Sequence, residues 1–331
     1  MYQVGIDVSK KKLDICLLVN GIKGKRKSKV MENNCHAAKT LIEWLEKQKC
    51  LLEEVRITLE STGTYHEQLC DELCDFSVHV SIVNPYRIRE FAKGMGILTK
   101  TDKVDAFVLA CYGNLKKPSA WIASPPEIRG LKSLITRREA LLSDLLRERN
   151  RQEKISITRT LKIVTQSIGR SIRSLEKELL AIETEISKHI DNHPKLKKDM
   201  ELLTSIKSIG HQVGSNMLMV LRSHNFTSAE QVAAYLGLVP VERSSGTSVN
   251  SRPHLSKAGP SEIRAKLYLS ALTAIRYNPH IKSLYDRLLA RGKSKMSALG
   301  AAMRKLVHLC YGVLKTGLAY DQNYLSQILD S

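Results

Sequence analysis

The amino-acid sequence predicts an α/β plus α protein: a mixed sheet covered by helices, then a helical coiled-coil connector, then a mainly helical C-terminal domain. Three observations lead there. Short apolar runs alternate with helical spacing over the first 124 residues. A charged stretch without proline or strand pattern follows, and beyond Asn192-His193-Pro194 helical spacing returns, interrupted by one segment rich in glycine, serine and proline. With 331 residues and a 43% hydrophobic share, the chain can bury two or three cores. The expected divisions are 1–124, 125–194 and 195–331.

The elements follow in order. Val4-Gly5-Ile6-Asp7-Val8 and Leu13-Asp14-Ile15-Cys16-Leu17-Leu18-Val19 flank a Ser9-Lys10-Lys11-Lys12 turn and read as a hairpin, and a third strand is expected in the basic segment from Lys25 to Met31. Cys35 to Lys49 has helical spacing through Ala38, Leu41, Ile42 and Leu45. Val55 to Leu59 returns to strand, Tyr65 to Cys74 to helix, and Val78 to Val83 to strand. Pro125-Pro126 ends this pattern, because neither proline continues a helix. From Ile128 to His189, Leu175, Leu179, Ile182 and Ile186 recur at steps of four and three, which fits a helical pair packed on its own domain or a coiled coil joining two chains. Val239 to Pro260 reads as a long functional loop, and Met296, Leu299, Met303, Leu306 and Leu309 are spaced as a packed amphipathic helix.

Lys and Arg number 52 against 33 Asp and Glu, a formal charge of +19 spread along the chain, so a large polyanion is the natural partner. Nucleic acid comes first, since each phosphate neutralised releases a counterion. No apolar run approaches the ~18 residues that span a bilayer, and the N-terminal residues lack a signal-peptide pattern. No membrane association and a cytoplasmic location are expected. Seven cysteines, an odd number, fit reduced thiols. Cys70 and Cys74 share a helix face, as a core pair or half of a zinc site.

Phosphoryl-transfer enzymes that use a hard divalent ion need carboxylates converging from separate elements. Asp7 ends one apolar strand and Glu60 another, just before Ser61-Thr62-Gly63. Asp102 and Asp105 lie three residues apart at the start of a predicted helix and share one face. Helix capping also favours acids at such positions.

The order of these acids matches the ribonuclease-H-like fold of RuvC-type nucleases. Gly5-Ile6-Asp7-Val8-Ser9-Lys10, Leu59-Glu60-Ser61-Thr62-Gly63 and Lys100-Thr101-Asp102-Lys103-Val104-Asp105-Ala106 together resemble the DEDD transposases of bacterial insertion sequences, whose relatives include Piv-type DNA invertases. The resemblance extends through Tyr235-Leu236-Gly237-Leu238-Val239-Pro240, Ser245-Gly246-Thr247 and Leu255-Ser256-Lys257-Ala258-Gly259, and so covers nearly the whole chain. It implies a magnesium site at Asp7, Glu60, Asp102 and Asp105, and a nucleophilic serine at Ser245, with Ser244 its competitor by position. Pro260 and Glu262 stand where relatives often carry basic residues. Some members of the family are guided by a non-coding RNA pairing with donor and target DNA.

A serine hydroxyl can attack a phosphodiester and hold the strand as an ester, conserving bond energy for rejoining. Without the family, Ser244 to Ser248 reads as a flexible turn. Arg252, His254, Lys257 and Arg264 flank a helix start at Gly259-Pro260-Ser261, a combination suited to a DNA phosphate. Ile206-Lys207-Ser208-Ile209-Gly210 partly resembles a helix-hairpin-helix turn. The function expected is thus a DNA transposase or site-specific recombinase acting as a homo-oligomer on double-stranded DNA, associated with the nucleoid. Its rivals are a hydrolytic junction resolvase and a non-catalytic basic nucleic-acid-binding protein, although the latter leaves four ordered acids unexplained.

Overall fold

A computed structural model describes residues 2–60, 65–76, 78–157, 161–245 and 249–323, with the backbone alone for 243–245 and 249–252. The chain forms two compact units, Met1–Ala123 and Ser124–Ser331. In the first, β1 (Tyr2–Val8), β2 (Lys12–Val19), β3 (Lys25–Glu32), α1 (Ala37–Lys47), β4 (Val55–Glu60), α2 (Glu67–Asp75), β5 (His79–Val83), α3 (Pro85–Gly94) and α4 (Asp102–Lys116) follow one another. The sheet is mixed, in the order β3-β2-β1-β4-β5. β2 pairs antiparallel with β1 and β3, whereas β4 runs parallel to β1 and to β5.

Sequence pattern accounts for this order. β1 and β2 are nearly continuous in buried residues, as strands covered on both faces must be. β3 carries Lys25, Arg26, Lys27 and Lys29 and takes an edge, where charge blocks further pairing. α1 buries Ala37, Ala38, Leu41, Ile42 and Leu45 in the main core of this unit. α4 approaches β1 so closely that a Cβ on Gly5 would lie 2.0 Å from the Ala106 carbonyl oxygen and 2.4 Å from the Ala110 nitrogen. Only glycine permits that approach. The sequence reading assigned no helix between Val83 and Asp102, yet α3 forms there. Asn84 Oδ1 accepts from the Tyr86 N–H at 2.8 Å, and Pro85 takes the first helical position.

The second unit is helical except for one ribbon. It runs α5 (Pro126–Ile157), α6 (Lys162–Asp191), α7 (Pro194–Thr204), α8 (His211–Ser223), α9 (Ala229–Tyr235), β6 (Pro240–Ser245), β7 (Val249–Leu255), α10 (Ser261–Tyr277), α11 (Pro279–Ala290) and α12 (Lys295–Thr316). α5 and α6 pack as a hairpin, and Ile128, Leu131, Ile135, Ile186 and Ile190 at its base join the same core as Leu203, Met217, Val232, Leu267 and Leu306. The connector and the C-terminal third therefore share one core. Arg138 interrupts the α5 seam. It is 2% exposed, donates to Glu139 through Nε and Nη2 and to Ser215 Oγ through Nη1, and Lys266 of α10 also pairs with Glu139.

Two expectations need correction. The segment from Val239 to Pro260 is mostly a β-ribbon, with β6 paired antiparallel to β7 from Pro240–Leu255 to Ser245–Val249. Its content of glycine, serine and proline reads as loop, but a two-stranded ribbon has only edge strands, where the N–H that Pro253 lacks is not needed. Met296 is 65% exposed, although Leu299, Met303 and Leu306 on the same helix are buried. Cys70 lies in the apolar core on α2, all seven cysteines are free, and among the described residues no His, Cys, Asp and Glu cluster is arranged to hold zinc or another metal.

Candidate active site

Parallel strands bring their C-terminal ends to the same edge, so β1 and β4 carry Asp7 and Glu60 together, one residue beyond the Ile6–Leu59 pair. The β1–β2 hairpin sets Asp14 directly opposite Asp7. At the start of α4, Thr101 Oγ1 accepts from the Val104 N–H at 3.3 Å and so caps the helix. That leaves Asp102 and Asp105 in the first turn with no capping duty. The tight packing at Gly5 carries this turn to the end of β1.

The electrostatics record the convergence. Burial raises the Asp7 carboxyl to about 6, and the charges of Asp102, Asp105, Glu60 and Asp14 push the same way. Burial also raises Glu60, against the pull of Arg89, and raises Asp105, against the pull of Lys100. Asp102 moves the other way. Lys12 Nζ donates to it at 2.7 Å and holds it ionised, while pairing with Asp14 at 3.0 Å.

An all-oxygen donor set carrying excess negative charge suits a hard divalent cation. Half-burial of Asp7 among like charges leaves a deficit of positive charge that such an ion would fill. Among the described residues, however, no three acids stand as a ready-made metal cage, and Asp102 is turned to Lys12. Lys12, Asp14 and Arg89 are site residues that the sequence reading missed. Folding the hairpin about Ser9 to Lys12 would have placed Asp14 opposite Asp7, and Arg89 follows from recognising Asn84-Pro85 as a helix start.

In the second unit, Ser245 ends β6 and pairs across the ribbon with Val249, with Ser244 opposite Asn250. The side chains of Ser244, Ser245 and Arg252 lie outside the described residues, as do Gly246-Thr247 and the Ser61-Thr62-Gly63 motif. His254 and Lys257 are exposed, and Lys257 adopts φ 55°, a left-handed conformation. Arg264 Nη1 donates to the carbonyls of Gly259 at 2.7 Å and Leu236 at 3.4 Å. Ile206 and Ile209 are core residues, and Ser208 between them has φ 86°.

Residues 4–156 match the model of the IS110-type DEDD transposases, and residues 200–286 match that of the transposase IS116/IS110/IS902 family. The pilin gene-inverting protein of Moraxella bovis is 30% identical over 96% of this chain and 97% of its own. The chain belongs to the IS110 transposase family. Within this transposase family, the 43.6 kDa protein of insertion element IS110 from Streptomyces coelicolor is 29% identical over 50% of this chain and 40% of its own. Among solved structures, Thermus thermophilus RuvC overlaps 36% of this IS110-type chain and 99% of its own, at 14% identity and a TM-score of 0.28. Among the described residues of this transposase, no helix is long and apolar enough to cross a membrane.

Proposed function

We propose that this IS110-family transposase is a site-specific DNA recombinase that cuts and rejoins strands through a phosphoserine link. Asp7, Glu60, Asp102 and Asp105 hold Mg2+, and Ser245 is the nucleophile. The observation that carries the reading is the meeting of carboxylates from β1, β4 and α4 at one edge of the sheet. The strand order supports a ribonuclease-H-like fold for residues 1–124. A divalent ion at these acids supplies Lewis-acid polarisation of the phosphate. Lys12 offsets the acids' mutual repulsion and keeps Asp102 ionised.

Ser245 acts from the end of a strand, beside the glycine of the Ser245-Gly246-Thr247 motif. Its Oγ loses its proton and forms a bond to phosphorus as the strand's own P–O bond breaks and the departing oxygen leaves as a hydroxyl; attack by the hydroxyl of another strand end then frees Ser245 and completes the exchange. The gene-inverting relative, similar over nearly the whole chain, favours rejoining over simple hydrolysis. Arg252, His254, Lys257 and Arg264 contact backbone phosphates of donor and target duplexes. Residues 125–194 connect the catalytic segment to the serine domain at 195–331 and join copies into a dimer or tetramer. The +19 charge supports a cytoplasmic, nucleoid-associated protein that also binds a structured guide RNA.

The test is substitution of the acids. Asp7→Ala, Glu60→Ala, Asp102→Ala and Asp105→Ala should each abolish strand exchange under magnesium while leaving the circular-dichroism spectrum unchanged. Wild-type recombination by any two of them would remove the metal assignment.

A further inference from the structure

A cleft of about 280 Å3 opens between α10 and α12 in the second unit. Ala265 and Tyr268 line it from α10, Met296, Leu299 and Met303 from α12, and Leu255 closes it at the base of the ribbon. The floor is apolar, and two cations, Lys257 and Arg264, stand among its lining residues. The Lys257 backbone and the Arg264 side chain are held in place. A Cβ on Gly259 would lie 2.0 Å from the Tyr235 carbonyl oxygen, so the backbone after Lys257 is pressed onto the turn after α9. The Lys257 N–H donates to the Gly237 carbonyl at 3.2 Å while its backbone holds the strained left-handed conformation, and Arg264 is anchored to Gly259 and Leu236.

We infer that this cleft takes one unstacked nucleotide of the bound DNA, its base on the apolar floor and its phosphate at Lys257 and Arg264. Ordinary core packing needs no cations in such a lining, and a pure anion site needs donors rather than Met296, Leu299 and Met303. The pair of features matches the two halves of a nucleotide. The volume falls just below the ~300 Å3 at which pockets for larger ligands begin, which suits a single ring system. Tyr268 offers a ring face, and thioethers adapt to flat aromatic partners. The inference rests on the DNA-recombinase reading and adds to it a place where the duplex is opened. From Leu255 to the Ser245–Val249 pair the ribbon runs six residues, about 20 Å at ~3.3 Å each. The extruded nucleotide therefore lies within about six base pairs of the attacked phosphate, at ~3.4 Å per pair.

Unpairing a base costs binding energy, and a mismatch removes part of that cost beforehand. A single mismatch is moved along the duplex and affinity is measured for Ser245→Ala protein, so that no cleavage intervenes. Binding should strengthen about tenfold at one position, near the attacked phosphate, and stay flat elsewhere. Ala265→Trp, placed at an exposed position lining the cleft, should erase that preference and leave matched-duplex affinity within about threefold. Lys257→Gln should weaken all duplexes alike and keep the preference. A flat mismatch scan, or the preference surviving in Ala265→Trp with Tyr268→Ala also silent, overturns the inference. So does a preference seen only with RNA duplexes. These outcomes separate from the serine assignment. An adduct on wild-type Ser245 with a flat scan removes the cleft alone, whereas a preserved preference in a protein that cuts without Ser245 removes the nucleophile alone.

Discussion

Asp7 is the carboxylate of the acidic edge whose chemistry the fold alters most. Burial and four neighbouring acids raise its carboxyl to about 6, above the ordinary value of 3.8. The folded protein therefore holds a proton that the unfolded chain has released between those two values. Stability of the metal-free protein should fall as pH rises from about 4 to about 6 and stay level above. Asp7→Asn should reduce that slope, leaving the part due to Glu60 and Asp105, and stabilise the metal-free protein near neutral pH by on the order of 1 kcal/mol, a figure discounted for half-exposure. Urea unfolding in chelator at pH 5 and pH 7.5 checks the sign; an unchanged slope in Asp7→Asn would contradict it. Asp7 and Glu60 stood out in the sequence because each ends an apolar strand where an acid is costly, whereas Asp102 and Asp105, favoured at any helix start, stood out only through the order of the motifs. Lys12 and Asp14 did not, since their roles depend on strand register rather than on residue type. Ser245 is proposed only on its family motif, since a short polar segment carries no chemical signature of its own.

Among the elements, α4 decides whether the acids meet. It lies against β1 only because position 5 has no side chain, and its first turn is free for Asp102 and Asp105 only because Thr101 caps it. Gly5→Ala forces a methyl group into the α4 backbone and should cost about 2–3 kcal/mol, with loss of magnesium binding by at least about tenfold. Thermal melting and calorimetric titration measure the two effects, and retention of both properties would show that the close approach is unnecessary. In the second unit, Glu139 ties α5 to α10. Burial raises its carboxyl, but Lys266 and Arg138 outweigh burial and hold it below the ordinary glutamate range. That stabilisation is present above about pH 4.5 and is lost as pH falls through the depressed folded value. Glu139→Gln leaves Arg138 buried without its counter-charge and should cost about 3 kcal/mol at pH 7, with a flatter acid-unfolding limb. An unaltered urea midpoint would refute it. Strands and long helices were readable from period alone, whereas the ribbon at Pro240–Leu255 was hidden by glycine, serine and proline, and α3 begins at an Asn84-Pro85 start that apolar spacing does not mark.

At the level of the whole chain, the acids belong to one compact unit and the serine ribbon to the other. Asn192-His193-Pro194 marked a division in the sequence, but the seam through Ile186 and Ile190 continues into the C-terminal core, and no local signal could reveal that sharing. What the account requires of the full molecule is that metal-binding acids and Ser245 act on one phosphate. The most direct measurement is capture of the cleaved strand on the protein under magnesium, with the attachment mapped by peptide mass. A DNA strand should be found on Ser245, absent from Ser245→Ala and from Asp105→Ala although both still bind DNA. Efficient cleavage with no attached strand, or cleavage by Ser245→Ala at the wild-type rate, would contradict the account and leave the acids as the centre of a water-dependent nuclease.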